Sequence, residues 1–487
     1  MIISVIVIPF IAGILVPLIP FKKRWQKEVF LETAVVINSI LVWFLLLHHS
    51  DSTFLLAHFT GDLNISFRVD GMSIVFAGLV SALWPFATLY AFEYMTKEKN
   101  ENVFFLFYTL TYGVTLGIAL AANLLTMYFF YELLTLVTVP LVMHTLTREA
   151  ILASRKYLYY SLGGAAFAFL GLIMVIVYGS TTDFILGGVL DPAKIAGKTN
   201  VLLLIYVMAF MGFGVKAAVC PFNSWLPQAG VAPTPVTALL HAVAVVKSGA
   251  FAIIRLTYYS FGTDFLKGTW AQDVVMIVVL FTIVYGCSRA VKETHIKRRL
   301  AYSTISNLSY ILFGAVIMTP LGLAGALTHL VFHAVMKISS FFCAGAVIHQ
   351  TDRHYVHELD GLGYKMPCVF GIFTISALAL MGVPGLAGFI SKWNLAQAAV
   401  ESENPLAWGG VACLLISALL TAIYMLTIVI RAFFPGKDFD YGTVAGIKDP
   451  NWKMLLPLFV FTVFVILFGL YSQPIVNFFL EAAAGNV

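Results

Sequence analysis

The chain has 487 residues, of which 60% are hydrophobic and only 11% are charged. Soluble globular chains carry charge on roughly a quarter of their residues. This composition therefore excludes a soluble domain and indicates an all-α integral membrane protein. The formal net charge is +5, but the basic residues alternate from loop to loop and form no continuous patch. Nucleic acid is therefore excluded as a partner.

Apolar stretches recur along the whole chain, each long enough to cross the hydrocarbon, which takes about 20 helical residues. They predict about fourteen transmembrane helices. The predicted spans lie near residues 2–20, 29–48, 71–93, 103–121, 123–145, 157–179, 201–226, 232–256, 273–291, 299–318, 321–348, 369–391, 408–434 and 454–479.

The loops between these spans differ in basic residues. One set contains clusters such as KKRWQK at 22–27 and RAVKETHIKRR at 289–299. The alternate set is sparse, and its basic residues are Arg68, Lys194, Lys198, Arg255 and Lys267. Basic loops stay in the cytoplasm. We therefore expect a multi-pass protein of a prokaryotic cytoplasmic (inner) membrane, with both termini on the outer side.

Cysteine usage argues against a redox or metal centre. The five cysteines are scattered and never spaced C-x-x-C, and they are Cys220, Cys287, Cys343, Cys368 and Cys413. No P-loop or dinucleotide fingerprint is present, so we expect no cofactor in this chain. His329 and His333 have the i, i+4 spacing of a metal pair, but no cysteine or carboxylate completes a set on that helix, and we predict no metal site.

Several ionisable residues fall inside the predicted spans, where each costs several kcal/mol and is a functional candidate by default. They are Glu132, Lys216, Lys247, Lys337 and Lys392, joined by His241, His329 and His333. The last two histidines and Lys337 are spaced by four and share one helix face. The alternatives are a structural ion pair for Glu132 or Lys216, snorkelling for Lys392, and satisfied core histidines.

Proton transfer gives a reason for this choice of residue types. Lysine held in an apolar bundle, and histidine in general, can gain and lose a proton near neutral pH. A carboxylate that moves toward or away from a lysine changes which form is favoured. Glutamate, lysine and histidine spread over several helices therefore indicate stations of a proton pathway.

Two spans are interrupted by proline at membrane depth, near Pro221 in VKAAVCPFNSWLP and near Pro384 in GVPGLAGFISK. Backbone groups freed by such breaks must line protein or a wet cavity, and transporters built on inverted repeats carry one broken helix per half. We predict helices 1–3 in residues 1–100, a first inverted repeat of helices 4–8 in 101–257, a second of helices 9–13 in 270–435, and helix 14 in 436–487.

Six motifs together resemble one family, the antiporter-like subunits of respiratory complex I, of Mrp-type Na+/H+ antiporters and of membrane-bound hydrogenases. The resemblance covers about residues 65–435. The motifs are FRVDGMSIVFAGLVS (67–81), YELLTL (131–136), CPFNSWLPQAGVAPTPVTALLHAVAVVKSGAFAIIR (220–255), KRRLAYSTISNLSYILFG (297–314), HLVFHAVMKISSFFCAGAVIH (329–349) and GVPGLAGFISKW (382–393).

The resemblance implies roles for the intramembrane residues. Glu132 and Lys216 would be the gating pair, and Lys247 the central lysine with His241 beside it. Lys392 would be the terminal residue from which the proton leaves. His329, His333 and Lys337 would continue the axis between these lysines. Lysine rather than glutamate at 392, and no long lateral helix after the last span, look most like the Mrp D-type subunit.

The leading hypothesis is a proton-translocating subunit of a multisubunit redox-driven or Mrp-type complex, with Na+/H+ antiport as an open alternative. Its partners would be other antiporter-like and small hydrophobic membrane subunits, and a peripheral iron–sulfur arm where the complex is redox-driven. Whether the chain counts as part of an enzyme depends on that complex. Two rival hypotheses are a self-sufficient carrier of a small solute and a non-pumping structural subunit of a redox complex.

Overall fold

The computed structural model describes residues 1–48, 52–61 and 63–486, and within them the chain is largely helical. In chain order the α-helices are α1 (Ile2–Leu18), α2 (Arg24–Leu47), α3 (Gly71–Tyr94), α4 (Glu101–Ala119), α5 (Leu124–Val142), α6 (Arg148–Tyr178), α7 (Pro192–Ile195), α8 (Thr199–Gly214), α9 (Trp225–Gln228), α10 (Thr234–Ala238), α11 (Val245–Ile254), α12 (Thr263–Leu266), α13 (Trp270–Lys292), α14 (Ile296–Ile317), α15 (Pro320–Thr351), α16 (Pro367–Met381), α17 (Ala387–Glu401), α18 (Pro405–Phe433), α19 (Trp452–Leu470) and α20 (Gln473–Ala484).

Eleven helical stretches within the described residues are long and apolar enough to cross a bilayer. Each overlaps a span that the sequence predicts. Three shorter apolar helices, α1, α8 and α16, overlap further predicted spans, of which 201–226 and 369–391 run on past the ends of α8 and α16. The chain is therefore a multi-span membrane protein, since helices satisfy all of their backbone hydrogen bonds internally where no water is present.

A β-hairpin that the sequence analysis did not predict lies between α2 and α3. Strand β1 (Phe54–Thr60) pairs antiparallel with β2 (Leu63–Phe67), and Phe54 lies opposite Phe67. The last three residues of β2 are buried, whereas most of β1 is exposed. The hairpin packs onto α5 through a hydrogen bond from the Ser66 amide to the Thr126 hydroxyl at 3.0 Å.

Side-chain caps fix where several spans begin. Asp70 accepts a hydrogen bond from the Ser73 amide at 2.9 Å and starts α3. Asn123 starts α5 in the same way, through the Thr126 amide at 2.7 Å. Such caps satisfy amides that have no partner within the helix. Because they fix the residue at which each helix begins, they also fix how far along the helix each following residue lies.

Both predicted helix breaks occur. After α8, residues 215–224 form a series of turns that contains Pro221, and Ala218 has a positive φ of 56°. After α16, Gly382 adopts φ 95° and its amide bonds back to the Ala379 carbonyl at 3.0 Å, an arrangement that ends a helix and favours glycine. Pro384 lies in the short link before α17.

The helical stretch that follows the first break is also irregular. The stretch Thr234–Phe261 is one long helical segment, but its turns widen to the π form at Leu239–Val243 and again at Arg255–Phe261. Wide turns of this kind are rare in helices and are frequent at functional sites. They rotate the residues that follow relative to a regular helix.

Helix α15 lies at the centre of the bundle. It is buried along most of its length and packs against α14, α16, α17, α19 and α20. By contrast α2, α6, α13, α18 and α19 present large apolar side chains to the outside, where lipid or other membrane subunits would cover them. The residues that α15 carries are therefore removed from lipid.

Candidate functional site

The predicted pair on α5 and after α8 is formed. The Lys216 Nζ lies 3.7 Å from the Glu132 Oε1, and the lysine side chain is 1% exposed whereas the glutamate is 24% exposed. The ammonium also donates to the Tyr131 carbonyl and lies 3.4 Å from the centre of the Tyr131 ring. A carboxylate, a carbonyl and an aromatic face thus compensate one buried charge.

The break after α8 places Lys216 where it can meet a neighbouring helix. Gly249 of α11 lies against the backbone of Lys216 and Ala217, and a β-carbon at position 249 would stand 2.5 Å from the Ala217 amide nitrogen. Only glycine permits this approach. Because Lys247 precedes Gly249 by two residues, the close packing brings the segments that carry the two lysines together.

Lys247 is fully buried and bonds a histidine from another part of the chain. Its Nζ lies 2.8 Å from the Nδ1 of His333 on α15, and both residues are 0% exposed. A buried polar group without a partner would be costly, so this contact explains how both side chains are tolerated. It joins the helical stretch that follows the first break to the central helix α15.

The two histidines of α15 lie in line. The His329 and His333 rings are stacked with centres 5.5 Å apart and planes within 10° of each other. The Nδ1 of His329 lies 2.9 Å from the hydroxyl of Ser391 on α17. Since Lys392 follows directly in the sequence, this contact extends the series of polar groups to the second break.

Lys392 compensates its charge without a carboxylate. Its Nζ donates to the carbonyls of Leu380 at 2.7 Å and Met381 at 3.0 Å, the last residues of α16. These carbonyls have no partner within the helix, and the C-terminal end of a helix favours a cation. The break near Pro384 thus creates the site that holds the ammonium.

Lys337 and His241 lie beside this series. The Lys337 Nζ donates to the Leu300 carbonyl of α14 at 3.1 Å. The His241 ring contacts the Phe341 ring with centres 4.9 Å apart, and neither of its nitrogens bonds a group in the described part of the chain. Lys247 therefore bonds His333, whereas His241, which the resemblance places beside Lys247, contacts Phe341. The described residues contain no cluster of three or more metal-ligating side chains.

The geometry groups the predicted residues into two parts. One is the pair Glu132–Lys216, and the other runs from Lys247 through His333 and His329 to Ser391. In the second part each side chain can hold or pass a proton, because lysine donates and imidazole both donates and accepts. The arrangement supports stepwise transfer of protons along this series.

One prediction was wrong, and it concerns a group that sequence reasoning missed. Arg255, assigned to a loop, is 0% exposed and forms a double hydrogen bond with Asp70 at 2.8 and 2.7 Å. Its guanidinium also lies 4.7 Å from the centre of the Phe184 ring and 4.6 Å from that of Tyr259. Arg255 lies at the edge of the predicted span 232–256, and the helical stretch continues to Phe261, so the arginine lies inside the bundle. The only sequence signal was its position at the edge of a span.

Two family models match the chain. The model described as NADH:quinone oxidoreductase/Mrp antiporter, TM, matches residues 121–421. The model described as NADH-ubiquinone oxidoreductase (complex I), chain 5 N-terminus, matches residues 57–105. The larger match contains all eight of the predicted site residues and both breaks.

Curated relatives come from two kinds of complex. The chain is 29% identical over 405 residues to NADH-quinone oxidoreductase subunit N of Desulforudis audaxviator, an alignment that covers 80% of this chain and 79% of that protein. It is 27% identical over 510 aligned residues to Na(+)/H(+) antiporter subunit A1 of Staphylococcus aureus. That alignment covers 99% of this chain and 62% of the antiporter subunit, so the chain spans under two thirds of its length.

Two solved structures share the fold. A chain of the Mrp complex from Dietzia sp. superposes with a TM-score of 0.84 at 21% identity, covering 99% of this chain and 96% of that one. A chain of the membrane-bound sulfane sulfur reductase, an archaeal respiratory membrane complex, gives 0.82 at 22% identity, with 99% and 97% covered. At these identities the likeness concerns the fold.

Proposed function

Because this chain belongs to the NADH:quinone oxidoreductase/Mrp antiporter transmembrane family, we propose that it is a proton-translocating subunit of a multisubunit membrane complex. The protons move along the side chains that begin at Glu132 and end at Lys392. The family predicted from six sequence motifs is thereby confirmed, while the path of the protons is our proposal.

One observation carries this proposal, the contact of Lys247 with His333 in the centre of the bundle. Two fully buried protonatable groups lie 2.8 Å apart, although each is costly to place there. Replacing buried charged groups by well-packed apolar residues of similar size is often neutral or stabilising, so stability alone does not account for the contact. The contact is explained if a proton passes between the two side chains.

The proposed roles follow from how each charge is compensated. Glu132 acts as the switch, because its partial exposure lets the carboxylate move away from Lys216. The charged form of the lysine is then less stable, and the lysine can give up its proton. Lys247 receives the proton and shares it with His333. His329 and Ser391 pass it toward Lys392, which is held by helix-end carbonyls. Lys337 and His241 flank the path and add positive charge that favours onward transfer.

We extend the proposal to the architecture of the chain. The division into helices 1–3 (1–100), inverted repeats of helices 4–8 (101–257) and 9–13 (270–435), and helix 14 (436–487) is supported by one interrupted helix in each repeat. Placement in a prokaryotic cytoplasmic membrane with both termini outside is supported by the distribution of basic loops.

The complex is proposed from the relatives. Their names include an Na(+)/H(+) antiporter subunit and a quinone oxidoreductase subunit, so other membrane subunits are the expected partners, and Na+/H+ exchange is the second candidate function. The Mrp D-type assignment stays a prediction. The driving free energy would come from a redox partner or an existing ion gradient, with no cofactor held by this chain.

The test is transport by the assembled complex in proteoliposomes. We expect Glu132→Ala and Lys216→Ala to reduce proton or sodium flux to background. Matched controls are Glu149→Ala in the exposed first turn of α6 and Lys198→Ala in a loop, which should transport normally. Normal flux in either the Glu132→Ala or the Lys216→Ala variant would overturn the proposed pathway.

The same preparation separates the rival functions. A solute carrier would bind or exchange its substrate as the purified single chain, in the absence of other subunits. A structural subunit would give variants that assemble and still transport at the normal rate. Replacing external Na+ by choline distinguishes antiport of sodium from translocation of protons alone.

A further inference from the structure

A second polar cluster lies where α13, α14 and α18 meet, apart from the lysine and histidine series. Each member is at most 1% exposed, although all lie within membrane-spanning helices. We call it the hydroxyl chain, and its members are Ser303, Tyr424, Thr421, Cys287, Ser306, Ser417 and Tyr310.

The half of the hydroxyl chain nearest the centre converges on Ser417 of α18. The Tyr310 hydroxyl donates to the Ser417 Oγ at 2.6 Å. The Cys287 Sγ lies 2.8 Å from the same oxygen, and the Ser306 Oγ lies 3.1 Å from it. Three helices therefore bring four hydroxyl or thiol groups to one point.

The other half leads away from the centre along α18 and α14. The Thr421 Oγ1 lies 3.8 Å from the Cys287 Sγ, within the range of a hydrogen bond to sulfur. The Tyr424 hydroxyl contacts the Thr421 Oγ1 at 3.1 Å and the Ser303 Oγ at 2.7 Å. The contacts are continuous from Tyr310 to Ser303.

The two ends meet different surroundings. At the central end the Tyr310 ring lies 5.1 Å from the His329 ring and 5.4 Å from the Lys392 Nζ. At the other end Ser303 lies about two helical turns from the start of α14. There Arg299 donates to the Tyr424 carbonyl at 3.0 Å and to the Glu293 carbonyl, in the loop before α14, at 2.7 Å.

Every member of the hydroxyl chain can both donate and accept a hydrogen bond. Such a chain can pass a proton when each group accepts one proton and donates its own to the next. Each step breaks one O–H or S–H bond and forms another, and rotation of the groups restores the starting state. Isolated pairs would suffice to hold three helices together, whereas the continuity from the central residues toward one membrane face suits transfer.

We propose that the hydroxyl chain is a proton access path that joins His329 and Lys392 to the membrane face where α13 ends and α14 begins. The inference rests on the proposed function and deepens it by naming the membrane face with which the terminal residue Lys392 exchanges protons. The step from Tyr310 to Lys392 passes the tyrosine ring and takes a bridging water. Arg299 lies between Ser303 and the loop and marks the outer end of the path.

The experiment measures flux by the assembled complex in proteoliposomes. We expect Tyr424→Phe and Thr421→Val, which remove one relay oxygen each with little change in shape, to lower the flux roughly tenfold or more. The matched control is Thr427→Val on the same helix, because the Thr427 hydroxyl bonds only the Ile423 carbonyl. That variant should transport normally.

A pair of substitutions at Cys287 separates relay from packing. Serine retains a group that donates and accepts, whereas alanine does not. We expect Cys287→Ser to transport close to the normal rate. The flux of Cys287→Ala should be lowered as much as that of Tyr424→Phe, although all of these variants assemble. Equal rates for serine and alanine, or normal flux in Tyr424→Phe and Thr421→Val, would overturn the access path.

Failure of this inference can be told from failure of the proposed function. Lys247→Ala removes the central lysine without touching the hydroxyl chain. If Lys247→Ala is inactive while the hydroxyl variants are normal, only the access path is wrong. If Lys247→Ala itself transports normally, the proposed function is wrong, and the access path is overturned with it.

Discussion

The two broken helices hold a lysine in different ways. Lys216, beyond α8, faces the carboxylate of Glu132 and the carbonyl and ring of Tyr131. Lys392, beyond α16, faces two carbonyls at the end of the preceding helix, and its nearest aromatic contact is Tyr310 at 5.4 Å. The first charge has a titratable and partly exposed partner, whereas the second has a fixed dipole.

This difference bears on how the two halves can work. A carboxylate can move or become protonated, so the free energy of the charged form of Lys216 can be switched by an event outside the chain. Backbone carbonyls at a helix end keep their charge and their place. We therefore expect the first break to respond to a partner subunit and the second to act as a constant acceptor.

The largest expected effect is that of Glu132→Gln on stability. Removing one partner of a buried ion pair costs about 3–5 kcal/mol, and we expect a value at or below the low end because Glu132 is 24% exposed. The measurement is thermal unfolding of the purified protein followed by tryptophan fluorescence. The variant Glu132→Gln/Lys216→Met should recover much of the loss, since no uncompensated charge remains. Absence of any recovery would show that Glu132 does not compensate Lys216.

A smaller effect is expected at the second break. Lys392→Met removes a cation from a helix C-terminus, an interaction worth about 0.3–2 kcal/mol, while flux in proteoliposomes should fall to background because the terminal acceptor is lost. Lys392→Arg keeps the charge and serves as the control for stability. A loss of stability in Lys392→Met as large as that in Glu132→Gln would remove the distinction between the two breaks.

The smallest effect is expected for Ser391→Ala, which removes the hydroxyl next to His329. A single hydrogen bond contributes about 0.5–1.5 kcal/mol, so we expect a modest drop in melting temperature and a partial loss of flux. The control is Ser340→Ala on α15, because the Ser340 hydroxyl bonds only the Met336 carbonyl of its own helix. If both variants lowered flux equally, Ser391 would have no specific part in the pathway.

Much of the candidate site was visible in the sequence because charge in an apolar span is a strong signal. Glu132, Lys216 and Lys247 were found in this way, as were the paired histidines of α15. The hydroxyl chain was not found, since serine, threonine and tyrosine occur in membrane helices at little cost. Ser417 and Cys287 meet only because α13 and α18 pack together from distant parts of the chain. The hairpin was missed because two short strands give a weaker periodic signal than a long helix.

The sequence by itself determined the class of protein, the approximate positions of its spans, its family and the identity of its intramembrane charges, because each follows from local composition or from motifs. Only the tertiary structure decided which groups touch. It paired Lys247 with His333, moved Arg255 from a loop to a buried bond with Asp70, and gave Lys392 the end of α16 as its partner. Contacts of this kind depend on how helices are rotated and how closely they approach, as at the wide turns and at Gly249, and no local pattern encodes them.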